Sequence, residues 1–252
     1  MTENLRLVAP DGSIAEAIVY PDAPALVVAA AELIASRANE AISARGIFSI
    51  ALSGGDTPKP VYARLALAKL DWSRVHIYFG DERCVPPDDP LSNYRMVKEA
   101  LLDKIAIPPA NVLRMRGEAP PDEAAQQYQQ ALRVGFGEDG RLDLVLLGLG
   151  DDGHTASLFP GLAAVTETVR WVATSYVEAV GRWRVSLTPP VINAARVVAF
   201  LVAGPSKAEV LRRVLLGPRQ PVVLPAQAIR PTERPALWLL DEAAAARLDR
   251  PR

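Results

Sequence analysis

"LDLVLLGLGDDGHTASLFPG", residues 142–161, decides how the rest of the chain is read. Residues 142–150 form the most apolar strand-like run in the sequence, ending in Gly148 and Gly150. A run that is apolar without alternation belongs to a strand covered on both faces, as in a parallel sheet layered with helices. "GLGDDG" (148–153) also matches the G-x-G-x-x-G pattern of dinucleotide-binding loops. That pattern requires a helix opening at its third glycine, yet Pro160 interrupts seven residues after Gly153. Asp151 and Asp152 would repel a pyrophosphate, and this copy lies past the middle of the chain rather than in a first βαβ unit. The stretch therefore reads as a strand tip that carries a histidine. Asp152, two residues before His154, suits a carboxylate that fixes an imidazole's tautomer for general-base work near neutral pH. A histidine that only hydrogen-bonds its own turn is the competing reading.

Outward from this run, short apolar segments alternate with helical patterns. Residues 22–46 predict a helix capped by Asp22 and stopped by Gly46, with Leu26, Ala30, Leu33, Ala38 and Ile42 on one face. "IFSIAL" (47–52) and "VHIYFG" (75–80) predict strands, and "NVLRM" (111–115) a short one. Helices are expected over 57–70, with Thr57 as N-cap and Pro58 at the first position, and over 92–105 and 121–137. Strands are expected at 183–188, 197–204 and 235–241, with a helix at 206–217 that Ser206 and Glu209 open as a capping box. The pattern predicts an α/β fold: a Rossmann-like, open, mostly parallel sheet with helices on both faces, in a single domain over residues 1–252.

Composition bounds the function. The chain has 252 residues, half of them apolar, enough for a large core. A formal net charge of -1 gives no footprint for nucleic acid and no membrane-surface patch. Cys84 is the only cysteine, which rules out an internal disulfide and a Cys-rich metal site. No secretory signal and no membrane span is legible, so a cytoplasmic location and a monomer are expected, with weak self-association the alternative. Only five lysines stand against 23 arginines.

Three polar loops follow three of the apolar runs, and in an open parallel sheet ligands bind outside the carboxyl ends of the strands. "SGGDTP" (53–58) combines Gly54 and Gly55, which allow a tight turn and close backbone approach, with a helix start near Thr57. That is either an anion site for phosphate or a plain strand-to-helix turn. It lacks the spacing of a P-loop, so nucleoside triphosphate is not its guest. "GDERCVPP" (80–87) places Arg83 where it clamps an oxyanion or joins a surface ion pair. Lys207 stands in a helix's first turn, where the dipole disfavours a cation unless an anion is near. Arg184 opens a strand and reads first as a solvated strand-end charge, and His76 alternates within its strand as a core histidine.

Taken together, "SGGDTP", "DERCVP", "GLGDDGHTASLFPG", "RVSLTPPVINAA" (184–195) and "GPSKAEVL" (204–211) resemble the 6-phosphogluconolactonase family, in that family's order, over residues 25–240. The resemblance implies a fold shared with sugar-phosphate isomerases and glucosamine-6-phosphate deaminase. It implies hydrolysis of 6-phospho-D-glucono-1,5-lactone to 6-phospho-D-gluconate in the oxidative pentose phosphate pathway. It implies His154 as general base oriented by Asp152. Ser53, Gly54, Gly55, Thr57, Arg83, Arg184 and Lys207 would bind the substrate, with no metal or organic cofactor. The deaminase, or a related isomerase, is the alternative. It carries Asp-Glu-Tyr where this chain has Arg83 third in "DER", and Asn-Glu-Pro after the histidine segment where this chain has "SLFPG". Asp56 departs from the family's usual small or uncharged residue and is expected to face solvent or cap the helix.

Overall fold

The structure is a computed structural model that describes residues 2–136 and 141–248. The chain opens with a hairpin of β1 (Glu3–Val8) and β2 (Ile14–Tyr20), followed by α1 (Ala23–Arg45). Next come β3 (Phe48–Leu52), α2 (Pro58–Leu65), β4 (Val75–Phe79), β5 (Asp81–Arg83), α3 (Asn93–Ala100) and α4 (Pro121–Phe136). The second half holds β6 (Leu144–Leu147), β7 (Val172–Val177), β8 (Arg182–Leu187) and α5 (Pro189–Asn193). It closes with β9 (Val198–Val202), α6 (Ala208–Leu216) and β10 (Leu237–Asp241).

The larger sheet runs β1-β2-β10-β9-β6-β3-β4. Only the β1–β2 pair is antiparallel; every other pairing in it is parallel. All four residues of β6 are fully buried because alternate side chains enter two different cores. Leu144 and Leu146 join Ile50, Leu52, Ile77 and Phe79 beneath α1, α2 and α3. Val145 and Leu147 join Ala51, Tyr78 and Phe200 on the other face, with residues of α4, α5 and α6. This two-sided burial produces the unbroken apolar run by which the strand is recognised. After β3 the chain moves outward to β4, whereas β6 adds on the opposite side of β3 and leads to β9. The crevice between β3 and β6 is thus a topological switch point, where strand ends leave a natural site.

Local signals at α1 act as the sequence predicts. Asp22 is extended and accepts the Ala25 N–H at 2.8 Å, and Gly46 ends the helix at φ 84°. Its buried stripe is shifted, with Ile34 and Ala41 in the core and Leu33 and Ile42 only partly covered. Several expectations differ from the structure. Thr57 is already helical (φ -65°, ψ -46°), so its side chain does not reach back to cap α2. A 3-10 turn, Pro205–Lys207, leads into α6, so Ser206 forms no capping box, and Glu209 turns instead to Arg212 and Arg247. Residues 111–115 form no strand; a single bridge joins Ile77 to Val112. Gly137, the expected last residue of the fourth helix, lies outside the described residues. The hairpin β1–β2 and strand β7 carry too weak a pattern to be read in advance. Most consequential, β8 does not enter the parallel sheet: with β5 and β7 it forms a separate three-stranded antiparallel sheet.

Candidate active site

The loops after β3 and β6 meet the β5–β8 pair and the turn before α6 around one cavity of about 430 Å³. Ser53, Gly54, Gly55, Thr57, Arg83, His154, Arg184 and Lys207 all line it. Asp152 stands behind His154 rather than on the wall. The sequence did not single out Asn93, Ser157 or Phe159, which also line the cavity. Nor did it assign a role to Asp81, which shares the wall.

His154 sits on a tight turn. Its Nδ1 lies 2.6 Å from Asp152 Oδ1, which also accepts the His154 backbone N–H at 3.0 Å. An ionised carboxylate only accepts, so Nδ1 carries a proton, and in the neutral imidazole the lone pair is then on Nε2. Burial alone would raise the Asp152 carboxyl. The bonds from His154 outweigh it and hold the group below its usual value near 3.8. The folded-state value is depressed, so this pair stabilises the protein above the ordinary carboxylate range and ceases to do so as pH falls through the lowered value. Asp152→Asn is therefore expected to remove that acid-limb dependence in pH-stepped urea unfolding. It is also expected to lower kcat by about 10–100-fold, because the imidazole loses the group that fixes its tautomer.

The turn's glycines have separate causes. Gly153 is left-handed at φ 85°, and a Cβ on Gly150 would stand 2.0 Å from His154 Nδ1. The amides of Gly150 and Gly153 donate to His154 O at 2.8 Å and Gly150 O at 3.0 Å, so both are occupied within the turn. In the other glycine loop, Gly55 has φ 102°, and a Cβ on Gly54 would stand 1.8 Å from Asn93 Oδ1. Gly54 is thus required by a protein side chain and not only by a ligand. Pro58 and Pro60 carry no N–H, so the start of α2 offers few donors and the glycine amides before it are the better anion contacts. Asp56 is exposed but does not cap α2, and contrary to the expectation that it faces away from the site it stands among the residues that line this cavity.

Arg184 is the largest departure from its sequence reading. Instead of a solvated strand end, it is buried at 8 % exposure, directly opposite Arg83 in the β5–β8 register. Burial first, and the neighbouring Arg83 second, press its pKa downward. Its Nε and Nη1 have no hydrogen-bond partner, and neither does the buried Ser53 Oγ. Buried donors left unpaired cost free energy. Residues Ser53, Arg83, Arg184 and Lys207 all line the cavity, so its wall carries the charge an anion site needs. Arg83 donates to the Leu91 carbonyl, and Lys207 pairs with Asp151 at 2.6 Å. The Asp151 carboxylate thus supplies the anion that a cation at this helix start calls for.

A buried acidic network holds the β5 segment. Glu82 accepts from Ser92 Oγ at 2.9 Å, Asn93 N at 2.7 Å, Tyr94 N at 2.8 Å and Arg83 N at 2.8 Å, and so caps α3 from outside the helix. Burial nevertheless pushes its pKa up. Asp81 accepts Ser157 Oγ at 2.6 Å and Asn93 Nδ2 at 3.2 Å. Glu82→Gln replaces an all-acceptor group by one that presents an N–H to these donors. It is expected to cost about 2–4 kcal/mol in urea denaturation. Burial lifts the Cys84 thiol to about 11, so it is not a nucleophile near neutral pH. His76 is only half-buried in β4. Among the described residues no group of three or more His, Cys, Asp or Glu is gathered as metal ligands, and no helix is long and apolar enough to cross a membrane.

Residues 21–238 match the family described as glucosamine-6-phosphate isomerases/6-phosphogluconolactonase. A 6-phosphogluconolactonase of Nostoc sp. is 42 % identical over 235 residues, covering 91 % of this chain and 97 % of that protein. The human 6-phosphogluconolactonase is 38 % identical over 236 residues, covering 90 % and 91 %. The solved structure of 6-phosphogluconolactonase from Trypanosoma brucei superposes with a TM-score of 0.82 at 33 % identity, covering 92 % of this chain and 98 % of that one.

Proposed function

The chain belongs to the family of glucosamine-6-phosphate isomerases and 6-phosphogluconolactonases, and from that premise we propose that it hydrolyses 6-phospho-D-glucono-1,5-lactone to 6-phospho-D-gluconate. One observation carries the assignment of the site. An imidazole whose Nδ1 is held by Asp152 shares a cavity with the cationic residues Arg83, Arg184 and Lys207 and the Gly54–Gly55 turn. A base and an anion socket within one cavity of about 430 Å³ fit a phosphorylated sugar lactone bound by its phosphate.

In this reading Nε2 of His154 takes a proton from a water whose oxygen bonds to lactone C1. The carbonyl oxygen becomes an oxyanion, and the imidazolium is stabilised by the Asp152 carboxylate. Collapse re-forms the carbonyl and breaks the bond from C1 to the ring oxygen, and the imidazolium returns its proton to that oxygen. Nothing is oxidised or reduced, and one water is consumed. The phosphate is gripped by Ser53, the Gly54–Gly55 amides, Thr57, Arg83, Arg184 and Lys207. Because it lies away from the reacting carbon, its binding energy serves to position C1 against the base. Every assigned residue comes from one chain, so a monomer suffices, and a reducing cytoplasmic compartment suits its single thiol.

The test is a pH-stat assay with freshly prepared lactone, corrected for spontaneous opening, run beside an assay for ammonia release from glucosamine 6-phosphate. Acid production well above the spontaneous rate with no ammonia is the expected result. Ammonia release without lactone hydrolysis would overturn the assignment.

A further inference from the structure

We propose that Phe159 is a positioning residue for His154: it closes a slot that fixes the plane of the imidazole. The inference rests on His154 being the base and adds the element that aims it. Asp152 grips only one edge of the ring and leaves it able to swing about its side-chain bonds. The Phe159 ring removes that freedom, since it stacks on the imidazole with centroids 4.2 Å apart and planes inclined by 26°. The Gly150 backbone abuts the ring at its Nδ1 and Cε1 atoms, where any Cβ would collide. Three contacts thus constrain the ring and leave Nε2 as its free nitrogen.

The chain path between the two rings is built for this purpose. Thr155 Oγ1 donates to Gly148 O at 2.8 Å, and Leu158 N donates to Thr155 O at 2.9 Å, closing a turn of four residues. Ala156 within it has φ 48°, the only positive φ outside glycine among the described residues. An L-residue adopts that conformation at a cost, which persists where the surrounding structure demands it. Leu158, fully buried, anchors the turn, and the next residue is Phe159, brought back over His154. An aromatic face also favours a cation, so the stack stabilises the imidazolium as it forms.

The test compares Phe159→Leu, which keeps apolar bulk without a ring face, with Phe159→Tyr, which keeps the face. Phe159→Leu is expected to lower kcat about 10-fold or more. KM and calorimetric affinity for 6-phosphogluconate should stay within about twofold, and Phe159→Tyr should restore kcat to within about threefold. The chain has two histidines, so His76→Gln assigns the His154 ring resonances. Their upfield ring-current shift should vanish in Phe159→Leu and return in Phe159→Tyr. If Phe159→Leu does not fold, Phe159→Met takes its place. An unchanged kcat, or a raised KM with unchanged kcat, overturns the proposal. Lactone inactivity of the wild-type chain would instead overturn the functional reading, while the ring-current shift still decides whether the slot exists.

Discussion

His154→Ala is expected to lower kcat for lactone hydrolysis by about 10²–10⁴-fold while leaving the fold intact. The magnitude is that of losing a positioned general base. The side chain is 30 % exposed, so truncation opens no core cavity, and the thermal midpoint should move little. The residues proposed to grip the phosphate lie on other elements, so calorimetric affinity for 6-phosphogluconate should stay within a few-fold of wild type. A fall in product affinity as large as the fall in kcat would mean that His154 binds substrate rather than activating water. An unchanged kcat/KM, measured against the spontaneous rate, would remove it from the mechanism.

Arg184→Met is expected to do two things that ordinary mutations rarely combine. It should lower kcat/KM by about 10²–10³-fold, mostly through KM, because a buried charged donor to the phosphate is lost. It should also leave the unliganded protein about as stable as the wild type or more so, because relief of the guanidinium's desolvation and of its repulsion from Arg83 offsets the lost attraction to the buried Asp81 and Glu82 carboxylates. Inorganic phosphate should raise the thermal midpoint of the wild type and not of the variant, since ligand that binds only the folded state stabilises it by mass action. A destabilised variant that keeps wild-type KM would show that Arg184 is structural. The expected outcome is the stability cost of a preformed binding site.

The legible parts of this site share a property: their signal is short-range. Asp152 and His154 are two residues apart, and the glycines that let their turn form lie within the same six residues. Gly54, Gly55 and Thr57 could be placed at a strand end because the apolar run before them marks the strand. Arg83 and Lys207 were found as charges in unusual local positions. The parts that were missed have partners far along the chain. Ser157 and Asp81 are 76 residues apart, and Asn93 reaches the glycine loop only because α3 packs there. Phe159 reads locally as one apolar residue before a proline. Its stack on His154 depends on a turn held by Ala156, whose side chain gives no hint of positive φ. Thr57 and Ser206 mislead in the opposite way: each is a good cap by type, but backbone angles set by the surrounding chain deny it the geometry.

Signals between neighbouring residues were enough for the layered α/β class, the central buried strand, the polar loops at the strand ends and the histidine among them. Hydrophobic period, helix stops and glycine turns are properties of neighbouring residues, and they survive without knowledge of the rest of the chain. Long-range pairing alone takes β8 out of the main sheet to join β5, and with it sets the character of Arg184. An apolar strand looks alike in a parallel or an antiparallel sheet, and an arginine at its start looks solvated until its neighbour across the ladder is known. Burial, and the field of the charge opposite, arise from pairings about a hundred residues apart in sequence. Those distant pairings turn what reads as a surface cation into a buried one on the cavity wall.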